Sequence, residues 1–130
     1  MGGSDRELVR QAFDAFSRDD IDAVLELCAP DVVVRDPQRT GTTFHGPDGL
    51  RSFFEEWLES WEEYSSEPIE ITAVEDALLV RAHQTGKGRH SGIEIDQDLF
   101  VVLRLRDGKF VEYGIYTSRD VALASVGAAD

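Results

Sequence analysis

The first third of the chain repeats its apolar residues at helical spacing. Val9, Ala12, Phe13 and Phe16 recur at i, i+3, i+4 and i+7. Ser4 and Glu7 fit a capping box at the start of that helix. Arg18-Asp19-Asp20 should stop it, and Asp19 or Asp20 should cap a second helix. The face of this second helix is Ile21, Val24, Leu25 and Cys28, and Pro30 ends it. A short apolar strand, Val32 to Asp36, comes next and ends on a carboxylate before Pro37. Alternation puts Val32, Val34 and Asp36 on one face, and Val33 and Arg35 on the other. The polar stretch Gln38 to Phe44 reads as a loop. Pro47 then suits the first turn of a third helix, whose apolar face is Leu50, Phe53, Phe54, Trp57, Leu58 and Trp61. Its other face carries Glu55, Glu56, Glu59, Glu62 and Glu63 and reads as a solvated surface.

After Ser65-Ser66-Glu67-Pro68 the period changes from helical to alternating. Strands are expected over Ile69 to Val74, from Leu78 to Thr85, from Ile93 to Leu105 and from Phe110 to Thr117, with a short helix from Ser118 to Val126. The turn at Arg106-Asp107-Gly108-Lys109 decides which side chains face inward. A two-residue turn aligns Val111, Tyr113, Ile115 and Thr117 with Asp98, Val102 and Arg104. A three-residue loop with a glycine bulge groups them instead with Leu99, Val101, Leu103 and Leu105. The second register keeps the charges out of the core and turns Gln97 inward, so it is the expected one. Helices followed by an antiparallel meander define an α+β chain, with a curved sheet wrapped on the N-terminal helices. Phe100, Val102, Phe110 and Tyr116 remain on the outer face, too apolar a set for a solvated surface. They point to a homodimer through the outer sheet face.

Length and charge narrow the functional classes. The 130 residues suit one domain, 1–130, able to bury its own core. Twenty-six acidic against 13 basic residues give a net charge of −13, which repels nucleic acid and anionic lipid. No apolar run is long enough to span a membrane, and Met1 to Asp5 lacks the pattern of a signal peptide. Cys28 is the single cysteine, so no intrachain disulfide forms and a cytoplasmic setting is expected. His45, His83 and His90 are scattered, with no metal-ligand spacing, and no glycine-rich phosphate loop follows a strand. No metal and no cofactor is expected.

Three pieces in order carry a family resemblance. They are Phe13-Asp14-Ala15-Phe16 with Asp20-Ile21-Asp22-Ala23 and Ala29-Pro30-Asp31; Val34-Arg35-Asp36-Pro37 leading to Gly46 and the aromatic helix; and Arg106-Asp107-Gly108-Lys109-Phe110. Together they resemble the nuclear transport factor 2-like superfamily, in its SnoaL-like and ketosteroid-isomerase-like branch. The resemblance covers nearly the whole chain. It implies a cystatin-like, cone-shaped half-barrel around an apolar cavity, often dimeric. It also implies that Asp36 stands where ketosteroid isomerases have their general base. Those enzymes add a tyrosine and a protonated aspartate as oxyanion donors. The matching positions here fall on Ala12 and near Val101, so steroid isomerisation of that type is not expected.

The resulting expectation is a pocket for a small apolar molecule. Asp36 is the candidate base acting on a carbonyl-containing substrate, as in an isomerase or cyclase. Gln84, Gln97 and Tyr113, with Thr117 in second place, are the inward polar candidates. Phe13, Phe53, Trp57, Val101 and Ile115 complete the expected lining. The competing reading is a ligand-binding or dimeric scaffold protein with the same cavity and no turnover.

Overall fold

The computed structural model describes residues 2–36 and 42–126, and side chains for all of these except residues 2–4, 36 and 42–44. The chain runs α1 (Gly2–Ser17), α2 (Ile21–Glu26), β1 (Cys28–Asp36), β2 (Thr42–His45), α3 (Gly46–Glu59), β3 (Trp61–Val74), β4 (Ala77–Gly88), β5 (Glu94–Arg106), β6 (Lys109–Tyr116) and α4 (Arg119–Ser125). The strands form one six-stranded sheet in the order β2-β1-β6-β5-β4-β3. All neighbours are antiparallel except β1 and β6, which run parallel.

The helical faces match the sequence pattern with local exceptions. Val9 and Phe13 of α1 pack on Leu78, Val80, Val101 and Leu103 of the sheet. Leu50, Phe53 and Phe54 of α3 pack with Ala15, Ile21, Val24, Val32 and Val34. Asp20 caps α2, accepting a hydrogen bond from the Ala23 amide. The first helix starts at Gly2, however, so Ser4 lies inside its first turn and is not the cap. The second helix ends at Glu26, and Cys28 and Pro30 already belong to β1. Pro30 therefore lies in the irregular stretch of β1 between Cys28 and Val33, where a missing amide is tolerated, and does not stop a helix. Part of the expected loop pairs as β2, with Thr42 opposite Asp36 and His45 opposite Val33. Pro37 to Gly41 lie outside the described residues.

The strand β3 starts eight residues before its expected first residue, Ile69, and takes Trp61 out of the third helix. Two irregularities accommodate its length. One lies between Glu62 and Ser65, where Glu63 has φ 53°, and one lies at Ile69, between Pro68 and Glu70. The second bulge turns Ile69 out to solvent and Ile71 into the core.

The hairpin between β5 and β6 reaches the expected faces by a different route. Arg106 pairs with Lys109 across a two-residue turn, with Asp107 at φ 53° and Gly108 at φ 78°. Positive φ at both central residues is a turn twisted in the same sense as the strands it joins. The extra residue sits in the strand: Arg104 pairs with Glu112 but Leu105 pairs with Phe110, which leaves Val111 bulged. Tyr113 and Ile115 thus return to the face of Leu103 and Val101, as expected. Phe110, expected outside, is buried inside with Val101 and Leu103. Arg104 and Glu112 pair at 2.7 Å on the opposite face.

The C-terminal helix covers part of the outer sheet face. Ser118 caps α4, accepting from the Val121 amide. The helix lays Ala122 against Ala77, Leu79, Val102 and Tyr116. Phe100 is half-buried, with the Arg119 guanidinium 5.3 Å from its ring centre. Every outer apolar residue behind the homodimer expectation thus either faces inward, as Phe110 does, or has a partner in or beside α4.

Candidate functional site

Between the inner sheet face and α1, α2 and α3 lies a cavity of about 120 Å³. A space of that size exceeds what one water needs, roughly 10–15 Å³ on the same kind of measure. Phe13, Phe53, Trp57, Gln84, Gln97, Val101, Tyr113 and Ile115 all line it. The sequence had placed these eight inward on separate elements, and the fold brings them round one space. Thr117 does not join them: it is exposed just past the end of β6. Ala12 and Val101 are both in the wall.

The aromatic part of the wall is tilted and edge-on. Phe16 and Phe54 lie 4.8 Å apart, and Tyr113 meets Phe54 edge-on at 5.8 Å. Trp57 and Phe16 both meet the Tyr64 ring edge-on, at 6.0 and 5.7 Å. These are favourable aromatic geometries, and they leave ring faces and edges toward the cavity.

Three of the polar groups gather at one end because of strand register, while Tyr113 lies apart, opposite Leu103. Ser66, Gln84 and Gln97 face each other across β3, β4 and β5 in a single rung. The neighbouring rungs on the same face, Ala82–Leu99, Val80–Val101 and Leu78–Leu103, are apolar. Gln97 Nε2 donates to Gln84 Oε1 at 2.8 Å, and Gln84 Nε2 donates to the Tyr64 hydroxyl. Gln84 is 0 % exposed, whereas Gln97 is exposed, so the chain of bonds runs from the surface into the interior. Both halves of the Gln84 amide are engaged within the protein, so it offers little to a ligand. Burial pushes the Tyr64 phenol up from its ordinary range, while hydrogen bonds from Trp57, Gln84 and Ser66 oppose that shift.

Tyr64 and Ser66 are polar cavity side chains that sequence reasoning missed. Both fall in the stretch read as the link between helix and strand. The signal available was Tyr64-x-Ser66 itself, a period-two pair just ahead of the alternating run. The bulge at Ile69 shifts the phase between the two and hides their common face.

Asp36 is located by its backbone only, and its side chain is outside the described set. The backbone ends β1, one step past the parallel pair Arg35–Gly114 and opposite Thr42. Continuing that register brings it beside β6 at the level of Ile115, a residue of the cavity wall. Cys28 also lines the cavity, with its thiol donating to the Val24 carbonyl at 3.4 Å. Burial raises this thiol to about 11, against the opposing pull of Lys109, so it is a neutral packing group at ordinary pH. Among the described residues the cavity wall holds no charged side chain, and no three His, Cys, Asp or Glu converge as a metal site. His83 is on the outer face between Asp96 and Asp98, and His45 and His90 are exposed. No helix among the described residues is long and apolar enough to cross a membrane.

Helices cradled in a curved sheet around an apolar cavity define the nuclear transport factor 2-like α+β class. Within it the chain belongs to the SnoaL-like family, whose domain pattern matches residues 9–113. The fold is shared with a SnoaL-like candidate polyketide cyclase from Jannaschia sp. CCS1, at 20% identity and TM-score 0.80, over 98% of this chain and 92% of that one. A candidate polyketide cyclase from Sinorhizobium meliloti is 30% identical, with TM-score 0.70, over 84% of this chain and 93% of that one. A protein of ketosteroid isomerase-like fold from Catenulispora acidiphila, solved with trimethylamine, is 19% identical with TM-score 0.77, over 93% and 92% of the two chains. No curated protein matches the chain.

Proposed function

We propose that the protein takes a small, uncharged and largely apolar molecule into this cavity, and that Asp36 serves there as general base beside a carbonyl. The reaction class is an isomerase- or cyclase-type proton transfer: Asp36 removes a proton from the carbon next to the carbonyl, and the electron pair moves into the enolate. The observation that carries the reading is a largely apolar, aromatic-rich cavity whose described wall is uncharged and which holds Ser66, Gln84 and Gln97 in one rung. An apolar wall with a few convergent polar groups is the usual form of a small-molecule site. The relatedness to candidate polyketide cyclases supports the reaction class.

The second reading, binding without turnover, is favoured by the hydrocarbon that Ala12 and Val101 present to the cavity. The resemblance to ketosteroid isomerases implies oxyanion donors at or near these positions, and neither residue can donate. Loss of one such donor costs about 3–4 kcal/mol of transition-state stabilisation in other enzymes. Deuterium exchange separates the two readings. Ketone probes incubated in deuterated buffer should lose their α-protons faster with the unaltered protein than with Asp36→Asn, as followed by NMR. Equal rates for the two proteins, with binding retained, would leave only the binding role.

A further inference from the structure

We propose that the Tyr64 hydroxyl is the anchor of this cavity, donating its proton to an uncharged acceptor oxygen of the bound molecule, with Gln84 and Gln97 as positioning residues behind it. The proposal rests on the cavity being a binding site and does not depend on Asp36. It comes from counting donors. Gln84 Nε2 donates to the Tyr64 oxygen, and the Gln84 oxygen is already taken by Gln97. With that donor on its oxygen, the phenol has its proton left over. Gln84 Nε2 cannot accept it, and within the network only the Ser66 oxygen competes. The remaining direction is the cavity that Tyr64 lines.

The order of the chain also strengthens the donor. Gln97 polarises Gln84, and Gln84 polarises Tyr64, so the last hydroxyl in the series is a better donor than an isolated phenol. The acceptor it suits is neutral, such as a ketone, ester or ether oxygen. An anion would enter a cavity with no cation in its described wall, in a chain of net charge −13. The rest of the ligand is then apolar and ring-sized, set among Phe16, Phe54 and Trp57.

Acetophenone and α-methylstyrene make the test, since they share a shape but only the first has an acceptor oxygen. Their binding is measured on the unaltered protein and on Tyr64→Phe and Gln97→Met, together with the infrared carbonyl band of 13C-labelled acetophenone. Tyr64→Phe should weaken acetophenone by about five- to tenfold, the range of one neutral hydrogen bond, and leave α-methylstyrene within about twofold. The carbonyl band should lie at a hydrogen-bonded frequency in the unaltered protein, move part way up in Gln97→Met and fully up in Tyr64→Phe. Equal weakening of both probes, or a free-carbonyl frequency in the unaltered protein, overturns the anchor. If Tyr64→Phe does not fold, the band in the unaltered protein and in Gln97→Met decides. Binding of α-methylstyrene alone overturns the anchor while sparing the cavity, and binding of neither probe overturns both.

Discussion

His83 is the surface histidine its sequence reading makes it, held in an ion-pair cluster that the sequence does not show. It is one of three scattered histidines, and a surface role is the plain expectation for it. The fold holds its two ring nitrogens 2.9 Å from Asp98 and 2.8 Å from Asp96, with Arg81 on Asp98 at 2.8 Å. The hydrogen bond to Asp98 chiefly, and the charges of Asp96 and Asp98 with it, raise His83 above its ordinary value of 6.5. Hydrogen bonds from His83 and Arg81 lower Asp98 below its ordinary 3.8. The folded state thus favours a charged ring on charged carboxylates. The contribution of His83 to stability is complete below about 6.5 and disappears as pH rises through its higher folded value. That of Asp98 is complete above 3.8 and disappears as pH falls through its lower folded value. The cluster is solvent-exposed, so its effect is modest and screened by salt. Replacing His83 by glutamine should therefore lower the urea midpoint more at about pH 5.5 than at an alkaline pH above the ring's raised folded value. The same loss at both pH values would mean that the ring contributes by packing or neutral hydrogen bonds alone.

At the scale of elements, helix faces were legible because each is written within one helix, and a 3.6-residue period needs no information from elsewhere. Phe13, Phe53 and Trp57 could be assigned to the cavity for that reason, as could Gln84, whose strand alternates without interruption from Leu78. Bulges were not legible. The extra residues at Ile69 and Val111 have no composition of their own, and each exchanges inside and outside between the two parts of its strand. Hence Tyr64 was missed and Phe110 was placed on the wrong face, although charge burial still gave the right faces for Tyr113 and Ile115. The turn that joins β5 to β6 can be tested separately from the bulge. At Gly108, φ is 78° and a Cβ would meet no atom within 4 Å, so a substitution there reports backbone strain without steric conflict. Gly108→Ala should destabilise the protein by about 1–2 kcal/mol, the cost of a left-handed conformation for an L-residue, with the denaturant slope unchanged. A loss below about 0.3 kcal/mol in urea titration would show that the turn relaxes to another type and that the bulge alone sets the register.

At the scale of the molecule, a charge of −13 says which partners are disfavoured, but not how the sheet's second face is handled. An apolar outer face has two remedies, a second copy of the chain or a segment of the same chain. The sequence shows the need for a cover more clearly than its source, because a short helix such as α4 carries its docking information in few residues. Ala122 is 0 % exposed against Leu79, Val102 and Tyr116, while Val121, one position away, is 52% exposed. That contrast fixes the orientation of α4 on the sheet. Ala122→Asp places a carboxylate among Ala77, Leu79, Val102 and Tyr116, and burying a charge against apolar side chains is costly. The helix should lift, baring Leu79, Val102 and Tyr116, and the variant should then associate. Light scattering coupled to size exclusion, at matched concentration, should give a larger mass for Ala122→Asp than for the unaltered chain, whatever the latter's own state. An unchanged mass together with unchanged thermal stability would mean that α4 does not shield the sheet.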